Sequence, residues 1–500
     1  MTNVRVEQGS LAGGHVGDVL CFLGVPFAAP PVGPLRWRAA APPASWDGVR
    51  AAREFGNAPI QTAVTSHTPG GKQSEDCLYL NIWTTTLDRG ARQPVMFWIH
   101  GGGFLNGASS MPIYDGAELA RRGVTVVSVE YRLGAFGFLT DPDNGTNFAV
   151  TDWVAGLSWV AANIEAFGGD AANVTVFGQS AGAAAVRALL STPSARGLFH
   201  RGIIQSAGFD DYAVVLSPSY ERAAAASARL LARLSCRSVE DLRQVPTERV
   251  RAASLEESGI FPPPGQVHTP ANLAWYPVLD SDVIAADFAG WPDDVPVMLG
   301  CTEDESRMFI TPSALYAHPE IRPEDAYTPD TLAHMARALG GAAADDVLRH
   351  FAGTGQTPYQ ALAEVYTAAV WHEPALATLN TFTCAARTSY YYRFARISPG
   401  ASETGTLACH ASENPYLFGT LRPPGFYDEA DVEVSHAVQH AWTEFARTGI
   451  PRHRDGAAWP RYDQADPKLA VIADRTESRA LTVSPVTALI HAQRHAGTGR

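Results

Sequence analysis

Short runs of consecutive apolar, largely β-branched residues recur along the chain, at residues 95–99, 124–130, 174–177, 203–205, 295–299 and 390–394. A strand with one wet face alternates apolar and polar side chains. Unbroken apolar runs bounded by turn residues therefore predict strands in a sheet covered on both faces. Helical spacing fills several of the intervals, at residues 117–122, 151–165 and 182–190. Strand, helix and strand in succession predict an α/β protein built on a large, mostly parallel central sheet. Up to about residue 83 the pattern changes to short hairpins and proline-rich turns, as in GVPFAAPPVGPLRW over residues 24–37, which predicts antiparallel strands at one edge. Two alanine-rich stretches, at about 209–291 and 311–383, read as helical insertions. They are expected to cap the C-terminal ends of the strands, where open α/β sheets hold their ligands. No repeat, low-complexity tract or Gly/Ser linker divides the chain, so residues 1–500 are expected to form one domain.

The strand at 174–177 runs into Gly178-Gln179-Ser180-Ala181-Gly182 and then a helical pattern. In that context the pentapeptide is a nucleophile elbow, a strained turn that lifts the Ser180 hydroxyl above the sheet. The strand at 95–99 runs into His100 and three glycines, Gly101–Gly103. Consecutive glycines after a core strand upstream of the elbow can converge backbone N–H groups on an anion. The amides of Gly102, Gly103 and Ala181 are therefore assigned to an oxyanion hole, each worth on the order of 3 kcal/mol in the transition state. A serine hydroxyl is a weak nucleophile at neutral pH, so an imidazole must take its proton and a carboxylate must orient that imidazole. The acid is expected just beyond the strand at 295–299, where Glu303, Asp304 and Glu305 compete. Among fifteen histidines, His410 follows the strand at 390–394 and precedes ENPYLFG. His436 and His440 read as one face of a surface helix and His100 as locked behind the glycine loop, which leaves His410 as the base.

Composition narrows the ligand. With 51 acidic against 38 basic side chains the net charge is −13, which disfavours nucleic acid and anionic lipid and leaves small uncharged or cationic ligands open. No apolar run approaches membrane-spanning length, and residues 1–11 lack a secretory pattern, so a cytoplasmic location is expected. Six cysteines are dispersed singly, which indicates neither a zinc site nor a disulfide framework. Neither a metal nor an organic cofactor is expected. Oligomeric state is not legible.

The sequence resembles the type B carboxylesterase/lipase family, which includes bacterial para-nitrobenzyl esterases and the cholinesterases. The resemblance runs nearly end to end, through FLGVPFAAPPVGPLRW (22–37), SEDCLYLNIW (74–83), WIHGGGF (98–104), YRLGAFGFL (131–139), NIEAFGGDAANVTVFGQSAGA (163–183), GLFHRGIIQSAG (197–208) and WTEFARTGIP (442–451). It implies the α/β-hydrolase fold and hydrolysis of carboxylic esters through a Ser-His-Glu triad and a serine acyl-enzyme. The acid of this family is second in a D-E-G triplet, here Asp304-Glu305-Ser306, which selects Glu305. The histidine pattern of the family matches His410. The resemblance also implies scaffold ion pairs Arg36–Glu75 and Arg132–Asp152, and for Ser206 either a bond to the triad glutamate or a plain core hydroxyl.

Departures from the family pattern carry information too. Gln179 stands where the family usually has glutamate, which removes a negative charge beside Ser180 and weakens any preference for a cationic alcohol. Many members bridge a cysteine at the position of Cys77 to an earlier one, but the expected partner position holds Ala58. Ser306 replaces the glycine after Glu305, and Glu130 replaces the usual asparagine before Tyr131. Met308 and Phe309, following Glu305, are candidates to line the pocket, with core packing the expected role for at least one of them. The substrate expected is a small to medium, mainly uncharged ester. Acyl transfer, or hydrolysis of a lactone, thioester, amide or carbamate, would use the same triad. A non-catalytic scaffold is disfavoured because Ser180, Glu305, His410 and the glycine loop are all present.

Overall fold

The computed structural model describes residues 2–61, 72–207, 219–258, 273–279, 282–284, 295–311, 327–494 and 496. Among these residues thirteen strands form one sheet. They are β1 (Thr2–Val6), β2 (Gly9–Val16), β3 (Val19–Pro26), β4 (Val49–Ala51), β5 (Tyr79–Thr84), β6 (Gln93–Ile99), β7 (Thr125–Val129), β8 (Gly169–Gln179), β9 (Arg201–Gln205), β10 (Val297–Thr302), β11 (Ser389–Phe394), β12 (Lys468–Ile472) and β13 (Thr476–Ala480). Their spatial order is β1-β2-β3-β5-β7-β6-β8-β9-β10-β11-β12-β13, with β4 beside β2. From β7 to β12 every neighbouring pair is parallel. The path from β1 through β2, β3 and β5 to β7 is antiparallel, as the N-terminal turn pattern implied.

The unbroken apolar runs are explained by burial on both faces. In β6, Val95, Phe97 and Ile99 join one core cluster, with the helices Phe148–Asn163 and Ala181–Leu190. Met96 and Trp98 join the other, with Val434, Val438, Trp442 and Phe445 of the helix Glu429–Thr448. Period-two geometry sends successive side chains to opposite faces, so both positions must be apolar.

Several boundaries differ from expectation. The strand expected at 295–299 is β10, Val297–Thr302. Pro296 has no N–H to give to a ladder, so regular pairing begins after it. The pair β12 and β13 lies beyond the six strands read from the pattern; β13 is exposed along four of its five residues and carries no apolar run. Within the stretches read as insertions the described elements are helices: Tyr220–Arg233, Val239–Arg243 and Thr247–Glu257 in the first, and Pro329–Gly340, Ala344–Phe351, Pro358–Thr367 and Glu373–Cys384 in the second. The outer boundaries of the first stretch, Phe209 and Trp291, lie outside the described residues.

Two buried ion pairs tie the loops to this frame. Arg132 bonds Asp152 at 2.6 Å and also donates to the Phe148 carbonyl. Arg36 pairs with Glu75 through two bonds, one of 2.6 Å, and reaches the Val245 carbonyl. Both pairs are those the family resemblance implied.

Candidate active site

The strand β8 ends at Gln179, and the helix Ala181–Leu190 starts one residue later. Ser180, between them, adopts φ 59° and ψ −124°, a conformation that costs an L-residue on the order of 1–3 kcal/mol and persists only where its surroundings impose it. They do so here. A Cβ on Gly178 would overlap the Gly182 carbonyl, and one on Gly182 would overlap the carbonyl of Ile99. The Ser180 N–H donates to the Gln205 carbonyl of the neighbouring strand at 2.8 Å, and the Ser180 carbonyl accepts from Ala183 and Ala184. Ser180 is 5 % exposed at the resulting corner.

The glycine loop follows β6, the strand paired with β8, so it arrives beside the elbow by register: Ile99 stands opposite Gly178. A Cβ on Gly101 would come within 3.0 Å of the Ser180 Cβ. Gly102 and Gly103 have φ of 117° and 62°, and among the described residues their N–H groups donate no hydrogen bond. Ala181 is the first residue of the elbow helix, where backbone N–H groups have no helical acceptor.

Three carboxylates compete after β10, and the structure separates them. Glu303 is exposed and pairs with Arg393 at 3.1 Å. Asp304 accepts from the Ala408 amide, and burial beside Glu303 pushes its carboxyl up to about 6. Glu305 is fully buried and bonds His410 Nδ1 at 2.6 Å, while its other oxygen accepts from the Thr302 amide at 2.8 Å. The His410 N–H meets the Glu305 carbonyl at 3.2 Å. Ser306 fastens this loop: its hydroxyl donates to the Ala363 carbonyl at 2.8 Å and its amide to Thr367.

His410 Nε2 is 3.0 Å from the side-chain nitrogen of Gln179. Among the described residues Ser180 Oγ makes no hydrogen bond, so two members of the expected row are joined directly and the third stands beside the contact through its neighbour. The bond from Ser206 to Glu305 is absent. Among the described residues its hydroxyl is buried without a partner, and only its backbone is engaged, donating to the Gly300 carbonyl at 2.8 Å. Ser206 has φ 55°, and the backbone bond to β10 holds the residue in place, so the hydroxyl is not carried to Glu305.

Phe309 packs on the His410 ring with centroids 5.3 Å apart, while Met308 is half-buried on the same helical turn. Sequence reasoning missed Trp371. Its ring lies 5.4 Å from His410, stacks with Phe309 at 5.5 Å and touches Tyr366. A π-helical turn, Ala368–His372, between two α-helices places it there; such turns recur at functional sites. No local motif marks that turn. Glu413, quoted only as part of the histidine motif, is also buried; burial and the charge of Glu305 push its carboxyl up to about 8. Among the described residues no group of His, Cys, Asp or Glu side chains is placed to hold a metal ion, and no helix is long and apolar enough to cross a membrane.

A strained serine at a strand-to-helix corner on a mostly parallel sheet, with helices on both faces, defines the α/β-hydrolase fold. Residues 1–486 match the profile of the carboxylesterase family, and the chain belongs to that family. It is 35% identical to phenmedipham hydrolase of Pseudarthrobacter oxydans, with 94% of each chain covered. It is 32% identical to the para-nitrobenzyl esterase of Bacillus subtilis, with 92% of each covered. The solved carboxylesterase Est55 of Geobacillus stearothermophilus superposes with a TM-score of 0.83 at 32% identity, covering 98% of this chain and 100% of that one. The protein is a carboxylesterase, a hydrolase of carboxylic ester bonds.

Proposed function

We propose that ester hydrolysis runs through an acyl-enzyme on Ser180, with His410 as general base and acid and Glu305 as its orienting carboxylate. The observation that carries this is the 2.6 Å contact of His410 Nδ1 with Glu305, made while the opposite ring nitrogen faces the elbow. An ionised carboxylate only accepts, so the ring hydrogen sits on Nδ1 and the lone pair on Nε2 is turned toward Gln179, the neighbour of Ser180. Gln179 donates to that lone pair in the resting enzyme and yields it to the Ser180 hydroxyl when substrate is bound. The hydroxyl attacks the ester carbonyl as its proton passes to Nε2. The amides of Gly102, Gly103 and Ala181 receive the oxyanion. Nε2 then returns the proton to the departing alkoxide, leaving the acyl-enzyme. Water, deprotonated by the same nitrogen, releases the acid.

Phe309 and Trp371 make the wall beside the base apolar, and Gln179 brings no charge to it. Both features favour small to medium, uncharged esters. The described helices of the two insertions fit a cap on a single catalytic domain. Six cysteines without a bridge fit a cytoplasmic setting, and the acidic net charge fits a protein without a nucleic-acid partner. The test is burst kinetics with a chromogenic ester. Ser180→Ala is expected to lose both burst and turnover while melting as the wild type does. Turnover retained by S180A would remove Ser180 from the mechanism.

A further inference from the structure

Glu130 stands where the family usually has asparagine, and the hydrolytic scheme above makes no use of it. It is 2% exposed, directly after β7 and beneath the glycine loop. One carboxylate oxygen accepts from both the amide and the hydroxyl of Ser109, at 2.9 and 2.8 Å. Asn81 in turn donates to that hydroxyl at 2.9 Å. The other oxygen lies 3.4 Å from His100 Nε2, within ion-pair distance, and among the described residues neither of these two atoms makes a hydrogen bond. His100 is fully buried and stacked on Tyr131, whose hydroxyl holds the His100 carbonyl at 2.8 Å. Its Nδ1 is 2.8 Å from the carbonyl oxygen of Gly101. Gly107 leaves room for that contact, because a Cβ there would fall 2.6 Å from Nδ1.

The Gly101 carbonyl and the Gly102 N–H belong to one planar peptide unit and point in opposite directions. Whatever holds the carbonyl on one side aims the N–H on the other. A hydrogen on Nδ1 is needed to hold it. A neutral imidazole with that hydrogen presents a bare lone pair at Nε2, which an ionised carboxylate repels. The pair is satisfied when one proton is shared between Nε2 and the carboxylate, and on either side of that proton Nδ1 keeps its hydrogen.

We propose that Glu130, acting through His100, is a positioning residue that aims the Gly102 amide into the oxyanion hole. This rests on the reading of Ser180 as nucleophile and Gly102 as oxyanion donor. The test compares Glu130→Leu, Glu130→Asn and Glu130→Gln on a para-nitrophenyl ester, with melting curves for each. A glutamine preserves the arrangement, since its oxygen accepts from Ser109 while its N–H donates to the Nε2 lone pair. E130L is expected to lower kcat by roughly 10- to 100-fold with KM nearly unchanged, because the oxyanion amide acts on the transition state. E130N, too short to span Ser109 and His100, is expected to behave likewise and serves in its place should E130L fail to fold. E130Q is expected to recover most of kcat. Unchanged kcat in a folded E130L or E130N, or an E130Q as slow as E130L, overturns the proposal. S180A, assayed alongside, separates the two ideas, since turnover surviving there defeats the underlying mechanism whatever the Glu130 variants do.

Discussion

Around Ser180 the chain is shaped by backbone crowding, whereas around His410 it is shaped by side chains. At the elbow, carbonyls of Ile99 and Gly182 occupy the space a Cβ would need, and the unusual φ of Ser180 follows from strand and helix meeting at a fixed angle. On the other side, His410 and Glu305 ride on loops after β11 and β10. They are held by the rings of Phe309 and Trp371 and by the hydroxyls of Ser306 and Thr367. A backbone constraint has no graded alternative, because a methyl group either fits or does not. A packed ring can be replaced by a similar one at modest loss.

That contrast can be broken in three places. The largest effect is expected for Gly182→Ala, whose added methyl meets a strand carbonyl that cannot move without opening the sheet. It should cost more than about 4 kcal/mol, and soluble folded protein should be lost; a G182A enzyme with wild-type melting and turnover would show that the elbow tolerates side chains. Next comes Trp371. Removing so large a buried ring costs about 3–5 kcal/mol, so Trp371→Ala should melt well below the wild type and lose activity, whereas Trp371→Phe should recover most of both. Equal damage from the two would mean the wall is not a matter of packing. The last effect shows only in the pH dependence of stability and belongs to Glu413, whose carboxyl is raised to about 8 from 4.5. The folded chain keeps this proton between those values and the unfolded chain does not. Its contribution to stability is therefore whole below pH 4.5 and is lost as pH rises through about 8. Denaturant titrations should show stability falling less steeply with pH in Glu413→Gln, which stays neutral, than in the wild type.

The same contrast explains what could be read in advance. The elbow and the glycine loop are contiguous, and Gly101, Gly102, Gly178 and Gly182 each stand where a carbonyl excludes anything larger, so short motifs carried them. The doubly buried strands were legible because burial on both faces forces an unbroken apolar run. The acid stayed ambiguous among three neighbours until the family pattern chose Glu305, since which of them is buried depends on contacts with residues 57 to 105 positions away. Trp371 was invisible because a π-helical turn, not a motif, brings it to His410. The partnerless Ser206 hydroxyl and the contact of Gln179 with His410 are matters of side-chain rotamer and loop register, which a residue pattern does not encode. Strand β13 escaped because an exposed edge needs no apolar side chains.

The most direct measurement is mass spectrometry of enzyme quenched in acid during steady-state turnover of an ester, followed by peptide mapping. The mechanism predicts an acyl mass on the peptide carrying Ser180 in the wild type and none in Ser180→Ala. Turnover in which no acyl group is ever found on Ser180, or in which it is found on another residue, would contradict it.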